Sequence, residues 1–320
     1  MSRLLAIYDS HECIMERLKD FLRESEDFPF SVSTYLDLEK LKNDMELSKL
    51  AIILIEDIYI SETIKQLAAN GGIQLIAFSG ETKPLEELPC IFRFQSAGNI
   101  KKEILKICLD NGLSINSLAG IKKSAGANST TVLAVYTPYM PFRRKEISVS
   151  LGQLLAEKGK CLYLNVRGFH DMDVLEDNDN ICDLLFFSEE NKERFYLKLK
   201  SIIRENCGYY YVEPVKNFFM MEGIDSKPVI NIINRICEMN EYKYLLIELS
   251  EEMSGFTEVL KSCHVIITFL ERGNTSFRER YEASLKASDL EELSEKTKYV
   301  YIGNYRPDIR NEIKEAISAV

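Results

Sequence analysis

The chain has 320 residues, too many for one ordinary core, so two domains are expected. Its composition, 46% hydrophobic and 28% charged, is that of a soluble globular protein, and no stretch approaches the roughly 20 apolar residues of a membrane span. The balance of 40 basic against 50 acidic residues gives a net charge of −10, and the best basic runs, Arg143-Arg144-Lys145 and Lys122-Lys123, are short, which disfavours a nucleic-acid partner held by phosphate neutralisation.

The N-terminus reads Met-Ser-Arg and passes straight into a strand-like run at Leu4–Tyr8, which predicts no signal peptide. Further strand-like runs follow at Phe30–Tyr35, Leu50–Ile55, Ile73–Phe78 and Ile91–Phe94. Helical patterns at Cys13–Leu22, Leu36–Met45 and Ile100–Leu109 lie between them. That alternation predicts a parallel sheet wrapped by helices. Residues 111–129 are small, polar and glycine-bearing, the composition of a linker. The rhythm then restarts with strands at Thr131–Tyr136, Cys161–Asn165, Tyr209–Glu213, Tyr244–Leu249, Val265–Phe269 and Tyr299–Ile302, and a helix at Ile147–Glu157. The expected division is a domain at 1–112, a linker at 113–127 and a second domain at 128–320, both α/β with doubly wound parallel sheets. Eight scattered cysteines without a C-x-x-C pair predict reduced thiols in a cytoplasmic protein. His11, His170 and His264 stand at no ligand spacing, so no metal site is expected.

Residues 1–112, with five strands alternating with helices, resemble a response-regulator receiver domain, which is flavodoxin-like. Such domains phosphorylate an Asp at the end of the third strand, using Mg²⁺ held by acids after the first strand. A Ser/Thr after the fourth strand and a Lys after the fifth bind the phosphoryl oxygens. Here Asp9 follows the first strand with Ser10 beside it, where receivers pair two acids. The third strand ends Ile55-Glu56-Asp57, and either acid can take the acceptor position. Ser79 fits the hydroxyl, and Phe94-Gln95-Ser96-Ala97 falls where receivers carry Lys-Pro, putting Gln95 at the cation. The resemblance then implies a pseudo-receiver acting as a docking module, with Glu56 able to mimic a phosphoaspartate. A phospho-switch through Asp57 is an alternative, and the plainest reading makes Asp9, Glu56 and Asp57 strand-end carboxylates on a solvated edge.

In the second half, Val132–Pro138, the helix Ile147–Glu157, Lys158-Gly159-Lys160 and Cys161–Asn165 make a strand–loop–helix–glycine–strand frame. It resembles the MinD/ParA family of P-loop ATPases, whose loop reads Lys-Gly-Gly-x-Gly-Lys-Thr, and the spacing matches without a gap. On that frame Tyr139 stands at the signature lysine, Met140 and Pro141 at two glycines, Arg143 at the third, Arg144 at the P-loop lysine and Lys145 at the Mg²⁺-binding Thr. Glycines let backbone N–H groups close on phosphate oxygens, whereas Pro141 removes an N–H and fixes its φ. Asn165-Val166-Arg167 replaces Asp-x-Asp, and Glu248 stands for the Walker B Asp on a longer arm. The joint loss of Gly, Lys, Thr and Asp argues against hydrolysis. Arg143, Arg144 and Lys145 before a helix could still hold a nucleotide phosphate.

One branch of that family, the CpaE/TadZ group of pilus-assembly proteins, fuses a receiver-like domain to a MinD/ParA-like one. The chain is similar to it in domain order, in the linker, in Asn180-Ile-Cys-Asp-Leu-Leu-Phe-Phe, in Tyr242–Ser250 and in Cys263–Phe269. The resemblance implies a cytoplasmic, polar or membrane-proximal homodimer. Its partners would belong to a Tad/Flp-type pilus or secretion machine, with no membrane span and at most peripheral membrane association. On this reading it is a scaffold without cofactor or metal; on the alternative it is a nucleotide-binding switch using ATP and Mg²⁺. Tyr209-Tyr210-Tyr211 and Phe218-Phe219-Met220-Met221 read as core packing rather than partner surface, Arg310–Val320 as a packed last helix, and Asp289–Glu295 as a solvated helix face.

Overall fold

The computed structural model describes residues 4–25, 28–47, 50–81, 88–112, 129–136, 144–168, 170, 179–273, 276–303 and 309–317. The segment read as a linker, 113–127, lies outside them, as do residues 137–143. The chain divides into two compact units, Met1–Lys122 with Asn191–Ser201, and Lys123–Glu190 with Ile202–Val320.

The first unit runs β1 (Leu4–Tyr8), α1 (Glu12–Glu24), β2 (Ser31–Thr34), α2 (Leu38–Glu46), β3 (Leu50–Glu56), α3 (Glu62–Gly71), β4 (Gln74–Ser79), β5 (Cys90–Phe92) and α4 (Ala97–Asp110). Its sheet is parallel throughout, in the order β2-β1-β3-β4-β5. All seven residues of β3 are buried, as a central strand covered on both faces requires. Helix α3, which has too few apolar residues to announce itself, is set by its ends. The Ser61 hydroxyl accepts from the Ile64 N–H at the start, and Gly72 closes it in the left-handed region at φ 59°. Asp37 and Ser96 cap α2 and α4 in the same way as Ser61. In this strand order the connections leave β1 and β3 on opposite sides, so their carboxyl ends flank the crevice where doubly wound sheets hold ligands.

The second unit contains β6 (Thr131–Tyr136), α5 (Arg144–Lys158), β7 (Cys161–Asn165), α6 (Ile181–Phe186), β8 (Arg204–Asn206) and β9 (Tyr209–Tyr211). Helix α7 (Lys192–Ile202) falls between α6 and β8 in the chain. Then come α8 (Ser226–Met239), β10 (Tyr244–Glu248), α9 (Phe256–Ser262), β11 (Val265–Glu271), α10 (Ser276–Ala287), α11 (Glu291–Lys296), β12 (Thr297–Ile302) and α12 (Ile309–Ile317). The seven-stranded sheet has the order β12-β11-β6-β10-β7-β9-β8 and is parallel except for the β8–β9 hairpin. That hairpin turns on Cys207 (φ 48°) and Gly208 (φ 90°), the paired positive φ angles of a two-residue turn matching strand twist.

The core behind β6 is built from Leu133 and Val135, from Ile147, Leu151, Leu154 and Leu155 on α5, and from Ile267, Phe269 and Ile313. Spacings of three, four and seven residues on α5 place that stripe on one helical face. Gly152 interrupts α5 where a Cβ would come within 3.2 Å of the Tyr209 ring, so the small residue admits the aromatic. Helix α12 packs through the fully buried Ile313, as a last helix was expected to do. No described helix is long and apolar enough to cross a membrane.

Candidate functional site

Each unit gathers charged side chains at the carboxyl edge of its sheet. In the first unit Asp9 follows β1 and Glu56 ends β3, and they are 3% and 5% exposed, so they do not sit on a solvated edge. Arg93, just past β5, joins them. Its Nη1 lies 2.8 Å from Glu56 Oε1 and 3.2 Å from Asp9 Oδ2. The second Glu56 oxygen accepts from the Ser10 N–H at 2.8 Å, and Asp9 Oδ1 accepts from the His11 N–H at 2.7 Å. Asp57 enters a 3-10 turn at 57–59 and accepts the hydroxyl hydrogen bond of Ser79 instead. The four predicted residues therefore split into two groups, Asp9 with Glu56 and Asp57 with Ser79. The cation of the cluster is Arg93, two residues earlier than Gln95, where the sequence frame put it.

The fold also brings His11 to the acids, which spacing alone did not suggest. One donor atom each from Asp9, His11 and Glu56 lies within 4.8 Å of the others. A metal ion does not fit this donor set, because the Arg93 guanidinium already stands between the carboxylates at hydrogen-bond distance.

The Glu56 carboxyl titrates below its ordinary 4.5. Burial alone would raise it, but the Ser10 hydrogen bonds and the Arg93 guanidinium outweigh burial. Arg93 is raised in turn, its own burial outweighed by Glu56 and Asp9. A carboxyl with a depressed folded pKa adds stability above its unfolded value, and that increment disappears as pH falls through the folded value. The first unit is therefore expected to lose stability below about pH 4.5. Denaturation midpoints measured from neutral pH downward should fall more steeply for the native chain than for Glu56→Gln.

In the second unit the carboxyl ends of β6, β10 and β7 lie side by side, with Glu248 opposite both Val135 and Asn165. Glu248 is 3% exposed, with hydrogen bonds at one oxygen and a charge contact at the other. Oε2 accepts from the Ser148 hydroxyl of α5 and from the Tyr163 hydroxyl of β7, each at 2.6 Å. Oε1 faces Arg167 Nη1 at 3.6 Å. Asn165 accepts the Arg167 N–H at 3.0 Å, fixing the turn that carries the guanidinium inward. Burial, and then the Glu248 charge, push the Tyr163 hydroxyl well above the ordinary phenol range, so it stays a donor.

Of the residues assigned to a degenerate nucleotide site, Asn165 and Glu248 meet here. Lys145 lies exposed in the first turn of α5, and Arg144 begins that helix. Tyr139, Pro141 and Arg143 lie outside the described residues. At Glu248 the Oε2 lone pairs serve two hydroxyls and the Arg167 guanidinium faces Oε1, an arrangement that opposes a magnesium ion by charge.

Sequence reasoning missed Arg93, Ser148 and Tyr163, and it read Arg167 only as a departure from Asp-x-Asp. The available signal was Arg167, a cation two residues beyond the apolar run Cys161–Asn165, whereas Arg93 fell inside the run read as Ile91–Phe94. Phe218–Met221 forms a 3-10 turn in which Phe219 is 65% and Met220 37% exposed, contrary to core packing. Tyr209 is buried in β9 as expected.

No protein-family profile and no curated protein matches the chain. Similar solved structures include a ParA family ATPase from Chlorobium tepidum TLS, at 15% identity over 60% of this chain and 81% of that chain, TM-score 0.44. A cobyrinic acid a,c-diamide synthase from Mycobacterium smegmatis with bound ATP analog and magnesium is similar at 14% identity over 60% and 83%, TM-score 0.39. An ATP complex of McdA from Cyanothece is similar at 9% identity over 60% and 78%, TM-score 0.38. These are likenesses of chain path at low sequence identity.

Proposed function

We propose that this chain is a non-catalytic scaffold or localisation factor, a pseudo-receiver joined to a MinD/ParA-like pseudo-ATPase. The carrying observation is that the carboxylate centre of each unit is neutralised from within, Glu56 and Asp9 by Arg93 and Glu248 by Arg167. At Glu248 one oxygen carries two hydroxyl hydrogen bonds and the other faces a guanidinium, which opposes a second cation there, and without the metal phosphoryl transfer loses its main charge stabilisation. The first unit would be a docking module rather than a phospho-acceptor, since the strand-end position holds Glu56 and not Asp. The resemblance to CpaE/TadZ proteins supports a place beside a Tad/Flp-type pilus or secretion machine, as a homodimer recruited to it. On that reading the protein is cytoplasmic and reaches the membrane only peripherally, through its partners.

The reading is tested by assaying purified full-length protein for ATP hydrolysis with Mg²⁺. No turnover is expected above a Glu248→Ala control. Turnover that disappears in that variant would overturn the proposal. Arg143 just ahead of α5 in the sequence, with Arg144 and Lys145 opening that helix, favours a second reading, a nucleotide-binding switch. Isothermal titration with ATP and Mg²⁺ separates the two: heat at millimolar ligand supports the switch, and its absence removes it.

A further inference from the structure

We infer that the second unit carries a docking groove for a short, basic, amphipathic segment of a partner protein. The groove is a cavity of about 290 Å³ at the carboxyl edge of the sheet. The turns after β7 and β10 line it with Val166 and Met253, and the 3-10 turn at 218–221 adds Phe219 and Met221. Its volume stands at the lower end of the range of small-molecule pockets, about 300 to 1,000 Å³, and is enough for one or two large apolar side chains.

The apolar surface continues beyond the cavity. The Cys182 thiol of α6 donates to the Met220 carbonyl at 3.2 Å and approaches Met221 Sδ at 3.8 Å, tying the turn to that helix. One helical turn further on the same face stands Phe186, 76% exposed. Phe186, Phe219 and Met220 are thus exposed aromatic and thioether side chains on the two elements that Cys182 joins, of the kind that accepts varied apolar anchors.

Charge decides the occupant. The charged residues among the described ones lining the cavity are Glu222 and Glu252, both exposed, and Glu251 beside them is exposed as well. Within a chain of net charge −10, an acidic rim around apolar anchors repels a second copy of itself and an anionic membrane alike. A segment presenting large apolar residues on one face, flanked by Lys or Arg, satisfies both features. The inference rests on the proposed scaffold role, but the two fail separately: ATP turnover would remove the scaffold reading and leave the groove standing.

The test uses the full chain and a fluorescein-labelled peptide of about 14 residues with Leu at helical i, i+3, i+4 and i+7 positions and Lys elsewhere. A scrambled peptide of the same composition is the control. Anisotropy at physiological salt should give saturable binding to the ordered peptide. Phe219→Ser, and separately Glu222→Lys with Glu252→Lys, should each weaken it by about tenfold or more. Glu291→Lys with Glu295→Lys makes the same change in net charge on α11 and should leave binding within about twofold. Equal binding of the scrambled peptide, indifference to the groove variants, or an equal loss in the α11 variant would overturn the inference. It also fails if sedimentation shows a homodimer that Phe219→Ser dissociates, or if phosphatidylcholine vesicles bind the chain and lose it on that substitution.

Discussion

Replacing Arg93 with Met is expected to destabilise the first unit by about 3–5 kcal/mol at neutral pH, because it leaves two buried carboxylates without their cation. Asp9 and Glu56 have side chains 0% and 7% exposed, and Arg93 Nη1 is the group that both of them face. Without it one of the pair must take up a proton in order to stay buried. The variant's carboxyl pKa is then raised above its unfolded value, so part of the lost stability should return as pH is lowered. That is the reverse of the native trend. Because Nη1 makes both contacts, the point charge of Lys should restore part of the loss, and Arg93→Lys is expected between Met and the native chain. Hydrogen exchange of peptides covering β1 and β3 reads the effect locally, independently of the second unit.

The counterpart in the second unit is Arg167→Met, expected to cost on the order of 3 kcal/mol by leaving Glu248 charged in a buried position. Its two hydroxyl donors, Ser148 and Tyr163, soften the loss without cancelling a full charge. Adding Glu248→Gln to Arg167→Met removes the charge while keeping an acceptor for both hydroxyls. The double variant should therefore be more stable than Arg167→Met alone, giving a coupling of about 1–3 kcal/mol in the double-mutant cycle. Additive losses would mean that the 3.6 Å pair carries no energy of its own. Exchange of the β7 and β10 amides is the measurement.

The strands were legible because central strands of a parallel sheet are apolar runs, and Thr131–Tyr136 and Cys161–Asn165 could be bounded to the residue. Helix α3 was not legible. Only Ile64 and Ala68 of its ten residues are buried, and its limits are written in Ser61 and Gly72 rather than in hydrophobic period. At the site the acids were visible, since a carboxylate ending an apolar run stands out. Their partners were not, because pairing across strands depends on where each strand stops. Strand β5 ends at Phe92 rather than at Phe94, which moves the first side chain past the sheet from Gln95 to Arg93. Tyr163 was hidden for a different reason. Within β7 its alternation reads as core, and its ring does pack there, while the hydroxyl reaches Glu248. Phe219 and Met220 mislead in the opposite sense, since residue type alone cannot distinguish a core cluster from an exposed surface turn.

The bridge that Arg93 makes between Asp9 and Glu56 also fixes how the first unit answers to its surroundings. A site neutralised by a dissociable metal ion follows mass action, and its stability tracks the free concentration of that ion. A cation carried on the same chain is held at an effective concentration that no chelator or dilution alters. The melting behaviour of this unit should therefore be the same with excess Mg²⁺ and with EDTA at matched ionic strength. Its stability is then set by the sequence, whatever the metal content of the surroundings.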